Sequence, residues 1–481
     1  MSCDLDSDGF FRLSVHTMSP TVARKSPAAR SRRARGPFPT YNSALGYLFS
    51  STNYEQTGPL TGYNIDTFSL DRMRRLLGKL GAPHRMLNAV HIAGTKGKGS
   101  TAAMLAGMLQ ACGFTVGLYT SPHLIDLRER IQVNGRMISE TELRGLLGKV
   151  STAAKSLGNG KSPTFFEIMT AAAFLHFVAK DVDLAVVESG LGGRLDSTNV
   201  LKPKVCAITS ISYDHCQQLG STLSNIASEK AGIFKRGVPA ISVPQVTEVE
   251  RTLRKAASAV RSPLTFTGKD IDFSFRFEST KTDGPQTRVC VTTPLSRYEH
   301  LRVPLPGEHQ ALNCGLALAL LDKLKELGYD IDDRRAVGGL ERTILPGRME
   351  MLHSDPRVIA DGAHNPGSIE ALMLAIGQNI SYDSMVVIFG CCVDKDIRSM
   401  LRRVGQGADK VIFTRSSSPR SADPHELAAR YTDLGGMCQA ADSFPEALRH
   451  AYSAVSRGDL ICVTGSFYLV GEAKQYFDRV P

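Results

Sequence analysis

The segment HIAGTKGKGST, from His91 to Thr101, restricts the fold of this chain more than any other feature. It begins in an apolar run, Ala89–Ala93, that reads as a buried strand, and it leads into residues 100–110, which read as a helix. Gly94, Gly97 and Gly99 let the backbone turn its amides toward an anion, the helix start adds its positive end, and Lys98 can reach terminal phosphates. Ser100 or Thr101 offers a hydroxyl to magnesium. The general pattern GxxxxGK[ST] is not met, because Gly99 separates Lys98 from Ser100 and position 92 is isoleucine. The plain alternative is a flexible strand-to-helix turn; two lysines and three glycines at a helix start weigh against it.

A strand–loop–helix unit of this kind belongs in a parallel sheet, and the chain supplies one. From Pro37 onward, apolar runs at 115–119, 184–187 and 205–211 alternate with helical patterns such as 167–179. Between 262 and 303 the pattern becomes alternating, with Val289, Val291 and Tyr298, which predicts a small antiparallel insertion. A second series of strand-like runs follows Leu345, at 358–360, 385–389, 410–413 and 460–463. The expected fold is α/β: a phosphate-loop ATPase domain at 37–343 with a mostly parallel sheet, then a smaller Rossmann-like domain at 346–481, joined by a linker near 341–346.

The formal charge of +10 raises the question of nucleic acid, but much of it is local. Arg24, Lys25, Arg30, Arg32, Arg33 and Arg35 lie in a stretch without acidic residues, which reads either as a disordered tail over 1–36 or as an organelle transit peptide. Met18 is an alternative start. No aromatic-interleaved basic stripe occurs, so no nucleic-acid partner is expected. The longest apolar run, 171–179, is broken by His176 and falls short of the ~18–20 residues a membrane helix needs. Ten scattered cysteines without a CxxC pair fit a reducing cytoplasm.

Metal ligands for a bound nucleotide belong at the carboxyl ends of neighbouring strands. Glu188 closes LAVV, His215 follows VCAITSISYD, and Ser121 follows the run at 115–119. Magnesium prefers oxygen, so His215 taken alone is more often a turn residue, and Ser121 has the same bland reading. These features imply ATP and magnesium used for phosphoryl transfer or for activating a carboxylate; they do not choose the substrate.

The ordered motifs, however, are similar to those of the folylpolyglutamate and dihydrofolate synthases, within the Mur ligase superfamily of ATP-dependent amide-forming enzymes. The resemblance spans about residues 38–475 and rests on GTKGKGS (94–100), SPHL (121–124), TFFE (164–167), ESGLGGRLDSTN (188–199), DH (214–215) and EKAGIFK (229–235). It continues through GEHQ with Asn313, PGR (346–348), DGAHNP (361–366), DKD (394–396) and TGS (464–466). The resemblance implies that Gly94, Thr95, Lys96, Gly97, Lys98, Gly99, Ser100 and Thr101 surround the ATP phosphates, and that Asn313, Arg348 and Asp361 complete the nucleotide site. It implies two magnesium ions held by Ser100, Ser121, Glu188, His215 and a carbamylated Lys230. Lys98, His215, Lys230, Asp361 and His364 become the expected catalytic groups. Asn313 as a helix cap, Arg348 as a surface ion pair and Lys230 as a surface lysine are the dull alternatives. The pattern departs from the family at Lys96, where Asn is commoner, and at Ser189, where Val is commoner.

The expected activity is addition of L-glutamate to dihydropteroate and to tetrahydrofolates through an acyl phosphate, by a cytoplasmic monomer. A monofunctional polyglutamate synthase is one alternative. A nucleotide-binding switch, its basic tail touching nucleic acid, is the alternative from another class.

Overall fold

The computed structural model describes residues 36–54, 68, 70–158, 162–280, 284–305 and 307–479. The basic tail expected over 1–36 lies outside them, apart from Gly36. Runs whose every residue is buried need a covered sheet on both faces, and they occupy the middle of the first sheet. Its strands are β1 (Ala89–Ala93), β2 (Val116–Tyr119), β3 (Ile131–Val133), β4 (Arg136–Met137), β5 (Leu184–Glu188), β6 (Val205–Ile208), β7 (Ala240–Ser242) and β8 (Leu264–Phe266). The spatial order is β4-β3-β2-β5-β1-β6-β7-β8, parallel from β2 to β8 and antiparallel only at β3 and β4.

The insertion consists of β9 (Asp272–Thr280), β10 (Gly284–Thr292) and β11 (Arg297–Arg302), an antiparallel sheet in the order β11-β10-β9. It begins later than the alternation suggested, because residues 264–266 pair with β7 as the parallel edge of the main sheet. The second sheet contains β12 (Glu350–Ser354), β13 (Arg357–Ala360), β14 (Met385–Phe389), β15 (Lys410–Phe413), β16 (Cys438–Ala440) and β17 (Leu460–Thr464). Its order is β12-β13-β17-β14-β15-β16, with only β12 antiparallel. We call the parts built on the two parallel sheets the first and second lobes; Gly36–Pro481 is one compact unit containing both. Among the described residues, no helix is long and apolar enough to cross a membrane.

Two local devices fix elements next to the site. Helix Lys98–Ala111 is pressed against helix Asp333–Glu341 where Gly107 meets Gly339: a Cβ on Gly339 would strike Gly107 O, and one on Gly107 would strike the Thr343 hydroxyl. Helix Phe165–Ala179 starts at a capping box: Thr164 Oγ1 accepts from Glu167 N–H, and the Glu167 carboxylate accepts from Thr164 N–H. That carboxylate also takes both of its contacts with Arg72 Nε, at 2.9 and 2.7 Å, in a buried ion pair. TFFE is therefore a structural motif at both its ends.

Candidate active site

The carboxyl ends of β1, β2, β5 and β6 lie side by side, so the segments leaving them meet above the middle of the first sheet. Strand β6 stops at Ile208, three residues before the apolar run does, because the chain turns to hold the phosphate loop. Thr209 N–H donates to Ala93 O, Thr95 N–H donates to Ser210 O at 2.9 Å, and Thr95 Oγ1 donates to Ser212 O. Gly97, at φ 84°, caps helix Lys98–Ala111, and a Cβ there would overlap the side-chain amide of Asn313, which is buried on helix Glu308–Glu326. Asn313 therefore closes over the loop rather than capping its own helix. The helix begins at Lys98, two residues before the apolar pattern, and Ser100 and Thr101 lie in its buried first turn.

Two lysines converge on one carbonyl. Lys98 Nζ donates to Gly94 O at 3.2 Å and Lys230 Nζ donates to the same oxygen at 2.7 Å. Lys230 is buried, not a surface lysine; burial first and Lys98 second bring its pKa down to about 7. Opposite them, the Glu188 carboxylate is 4 % exposed and lies 3.8 Å from Lys98 Nζ. It accepts Ser121 N–H at 3.1 Å. Burial raises its pKa, against the pull of Lys98 and the Ser121 amide. His215 starts the short helix Cys216–Leu219 in the left-handed conformation, φ 51°. Crowding in the cleft, with Lys395, Lys230 and Lys98 adding like charge, draws it down to about 4, although 47 % of its side chain stays open at the cleft mouth.

From the second lobe, the segment after β13 supplies Asp361, His364 and Asn365. The Asp361 carboxylate is spent on backbone: it accepts Met349 N–H at 3.0 Å and Ala363 N–H at 2.9 Å, tying the Arg348 loop to the strand end. Arg348 lies 4.5 Å from the centroid of the Phe467 ring, a cation–π contact. His364 Nδ1 is 2.8 Å from Gly362 O. A carbonyl only accepts, so that contact assigns the proton to Nδ1 and leaves Nε2 as an acceptor. Burial and Lys395 hold the ring neutral, with a pKa near 4.

Sequence reasoning missed three groups. Asp214 accepts Asn365 Nδ2–H at 3.3 Å and has Lys395 Nζ at 3.8 Å, so two second-lobe side chains grip one first-lobe carboxylate. Asp214 and Lys395 sit inside the DH and DKD motifs, but nothing in spacing says that they face each other. Asp196 is buried, accepts Gly190 and Leu191 N–H at 2.9 and 2.8 Å, and so holds the glycine-rich turn after Glu188 in place.

Among the described residues no three His, Cys, Asp or Glu side chains cluster as a metal cage. Magnesium does not need one, since it commonly takes one or two carboxylates and completes its shell with phosphate and water. The donors present fit that chemistry. Glu188 is a buried carboxylate only loosely offset by Lys98, and neither the Ser100 nor the Ser121 hydroxyl is spent on a hydrogen bond among the described residues. The Thr101 hydroxyl is buried without a partner.

Comparison with known proteins follows the same division. The Mur ligase middle domain matches residues 92–321, and the Mur ligase glutamate ligase domain matches residues 347–467. The dihydrofolate synthase/folylpolyglutamate synthase of Bacillus subtilis is 35% identical over 410 residues, covering 84% of this chain and 94% of that protein. Folylpolyglutamate synthase from Mycobacterium tuberculosis, complexed with ADP, superposes with a TM-score of 0.82 at 30% identity over 92% of this chain and 99% of that one. E. coli FolC in complex with DHPP and ADP gives 0.79 at 28% identity, over 91% and 98%.

Proposed function

The chain belongs to the folylpolyglutamate and dihydrofolate synthase family of Mur ligases, and on that premise we propose that it is an ATP-dependent amide ligase joining L-glutamate to folate-type acceptors. The acceptors are dihydropteroate, giving dihydrofolate, and tetrahydrofolates, giving polyglutamates. The observation that carries this reading is the meeting of Lys98, Lys230 and Glu188 at the phosphate loop with Arg348 and His364 from the second lobe.

The acceptor carboxylate attacks the γ-phosphorus of ATP, an approach of two anions that needs cations at the phosphate oxygens. Lys98, already anchored to the loop, supplies one, and Arg348 supplies another from the facing lobe. The acyl phosphate formed is then attacked by the glutamate amine, a tetrahedral intermediate collapses, and phosphate leaves. His364 orients that amine: its Nδ1 proton is fixed on Gly362 O, so neutral Nε2 accepts from the nucleophile. Asp361 acts one step back, by holding the Arg348 loop. Magnesium, when bound, supplies charge neutralisation for the triphosphate; Ser100, Ser121 and Glu188 would hold one ion and His215 with carbamylated Lys230 a second. A lysine with its pKa near 7 has a neutral fraction able to form the N–C bond to carbon dioxide, releasing one proton. Carbon-13 NMR in labelled bicarbonate should show a carbamate that Lys230→Met lacks. The enzyme works as a cytoplasmic monomer on small molecules.

The deciding experiment gives purified protein ATP, magnesium and glutamate with dihydropteroate or tetrahydrofolate in parallel, and weighs the products by mass spectrometry. One glutamate added to each acceptor is expected. Tetrahydrofolate extended with dihydropteroate untouched would make it a monofunctional polyglutamate synthase; neither extended would end the ligase reading.

A further inference from the structure

Lys96 is the one loop position at which the residue type departs from the family pattern, and its surroundings explain what it does here. Its ammonium extends from the phosphate loop to the first turn of the second-lobe helix Pro366–Asn379, where a Cβ built on Gly367 would fall 2.5 Å from Nζ. No described residue lies within hydrogen-bonding or ion-pairing distance of that ammonium, so its three donors are unspent. Asp214 from the first lobe and Glu370, one turn along the same second-lobe helix, attract it from further away; Lys96 itself adds to the positive field on His309. A cation gains nothing from the amino end of a helix. Its place there is set by shape: only a glycine at 367 leaves room for the amine.

We propose that Lys96 and Gly367 form the contact through which the second lobe registers on the phosphate loop, with Lys96 a positioning residue for phosphoryl transfer and Gly367 its seat. The inference rests on the ligase reading for its kinetic test alone. Gly367 has an ordinary helical backbone, so alanine there is compatible with the fold and favoured by helix propensity. The clash would fall on the far end of a flexible side chain and would be relieved by swinging the lysine away. Gly367→Ala therefore separates placement of Lys96 from stability of the protein.

Four proteins test this: wild type, Gly367→Ala, Lys96→Asn and the double variant. Gly367→Ala should lower kcat for glutamate-dependent ADP release by about 10-fold or more, as small misplacements at a reacting centre do. Its melting temperature should hold or rise, and its affinity for magnesium–ADP should stay within about twofold, since additive behaviour is expected of an untouched site. In the Lys96→Asn background the same alanine should cost less than about twofold, because the group it displaces is gone. Equal cost in both backgrounds, or no cost in wild type, overturns the proposal. Hydrogen exchange gives a readout independent of ligation. Titrating magnesium–ADP should protect the amides of residues 367–371 in wild type and less so in both single variants, with no further loss in the double. Protection indifferent to Lys96 and Gly367 sinks the contact even if ligation is intact, whereas a wild type that shows this pattern but ligates nothing sinks only the function.

Discussion

On the first lobe, Lys98, Lys230 and Glu188 are held by backbone just past the strand ends: two ammonium groups on Gly94 O after β1, and a carboxylate on Ser121 N–H after β2. On the second lobe, Lys395 and Asn365 lean away from their strand ends toward Asp214 on the facing lobe, at 3.8 and 3.3 Å. The first edge brings its two ammonium groups and its carboxylate together within one lobe. The second becomes part of the site only when the lobes meet. Substitutions on the first edge should therefore damage nucleotide binding and chemistry together, and substitutions on the second should spare binding.

The sharpest way to break this contrast is Lys98→Ala. Removing the cation at the transferring phosphoryl group should lower ligation by about 10³-fold in steady-state ADP release. Retained turnover would mean that the loop is not where ATP reacts. Glu188→Gln comes next, with an expected loss of about 10²-fold. The loss should be accompanied by a higher magnesium requirement, read from activity against magnesium concentration. Lys395→Met then tests the other edge: kcat should fall about 10-fold while calorimetry finds the ADP affinity within about twofold of wild type. A matching loss of ADP affinity would place Lys395 in the nucleotide site and erase the distinction.

Lys230 gives a pH test of the first edge. Its folded pKa of about 7 lies below the ordinary lysine value of 10.5, so between those values the unfolded chain binds the extra proton. Stability then rises with pH across that window, and the penalty is complete below it. In bicarbonate-free buffer, Lys230→Met should raise the melting temperature most near about pH 6, with the gain shrinking toward about pH 10. A gain independent of pH would mean that the folded lysine stays charged with its ordinary pKa. The smallest effect belongs outside both edges: Thr164→Ala should cost about 1 kcal/mol in denaturant melts, as lost caps do, with KM values unchanged.

Strands that are buried on both faces were legible because their apolar runs have nowhere else to go; 89–93, 385–389 and 410–413 match residue for residue. The edge strand β12 was not legible, since Met351, His353 and Ser354 are exposed and Glu350 and Leu352 only half-buried, leaving no apolar run to mark it. At the site, the phosphate loop announced itself because its chemistry is local in sequence. Asp214 with Lys395, and Lys96 with Gly367, did not, because each pair joins residues more than 150 positions apart and neither carries an apolar period that would place it. Asp361 was expected to act directly; its carboxylate accepts Met349 and Ala363 N–H, a supporting contact to the Arg348 loop that spacing did not announce.

The glycine crossing of helices Lys98–Ala111 and Asp333–Glu341 joins the floor of the nucleotide site to the last element before the second lobe. A methyl group at 339 would drive into the Gly107 carbonyl and one at 107 into the Thr343 hydroxyl, so the chain leaving helix Asp333–Glu341 keeps its seat only while both positions stay glycine.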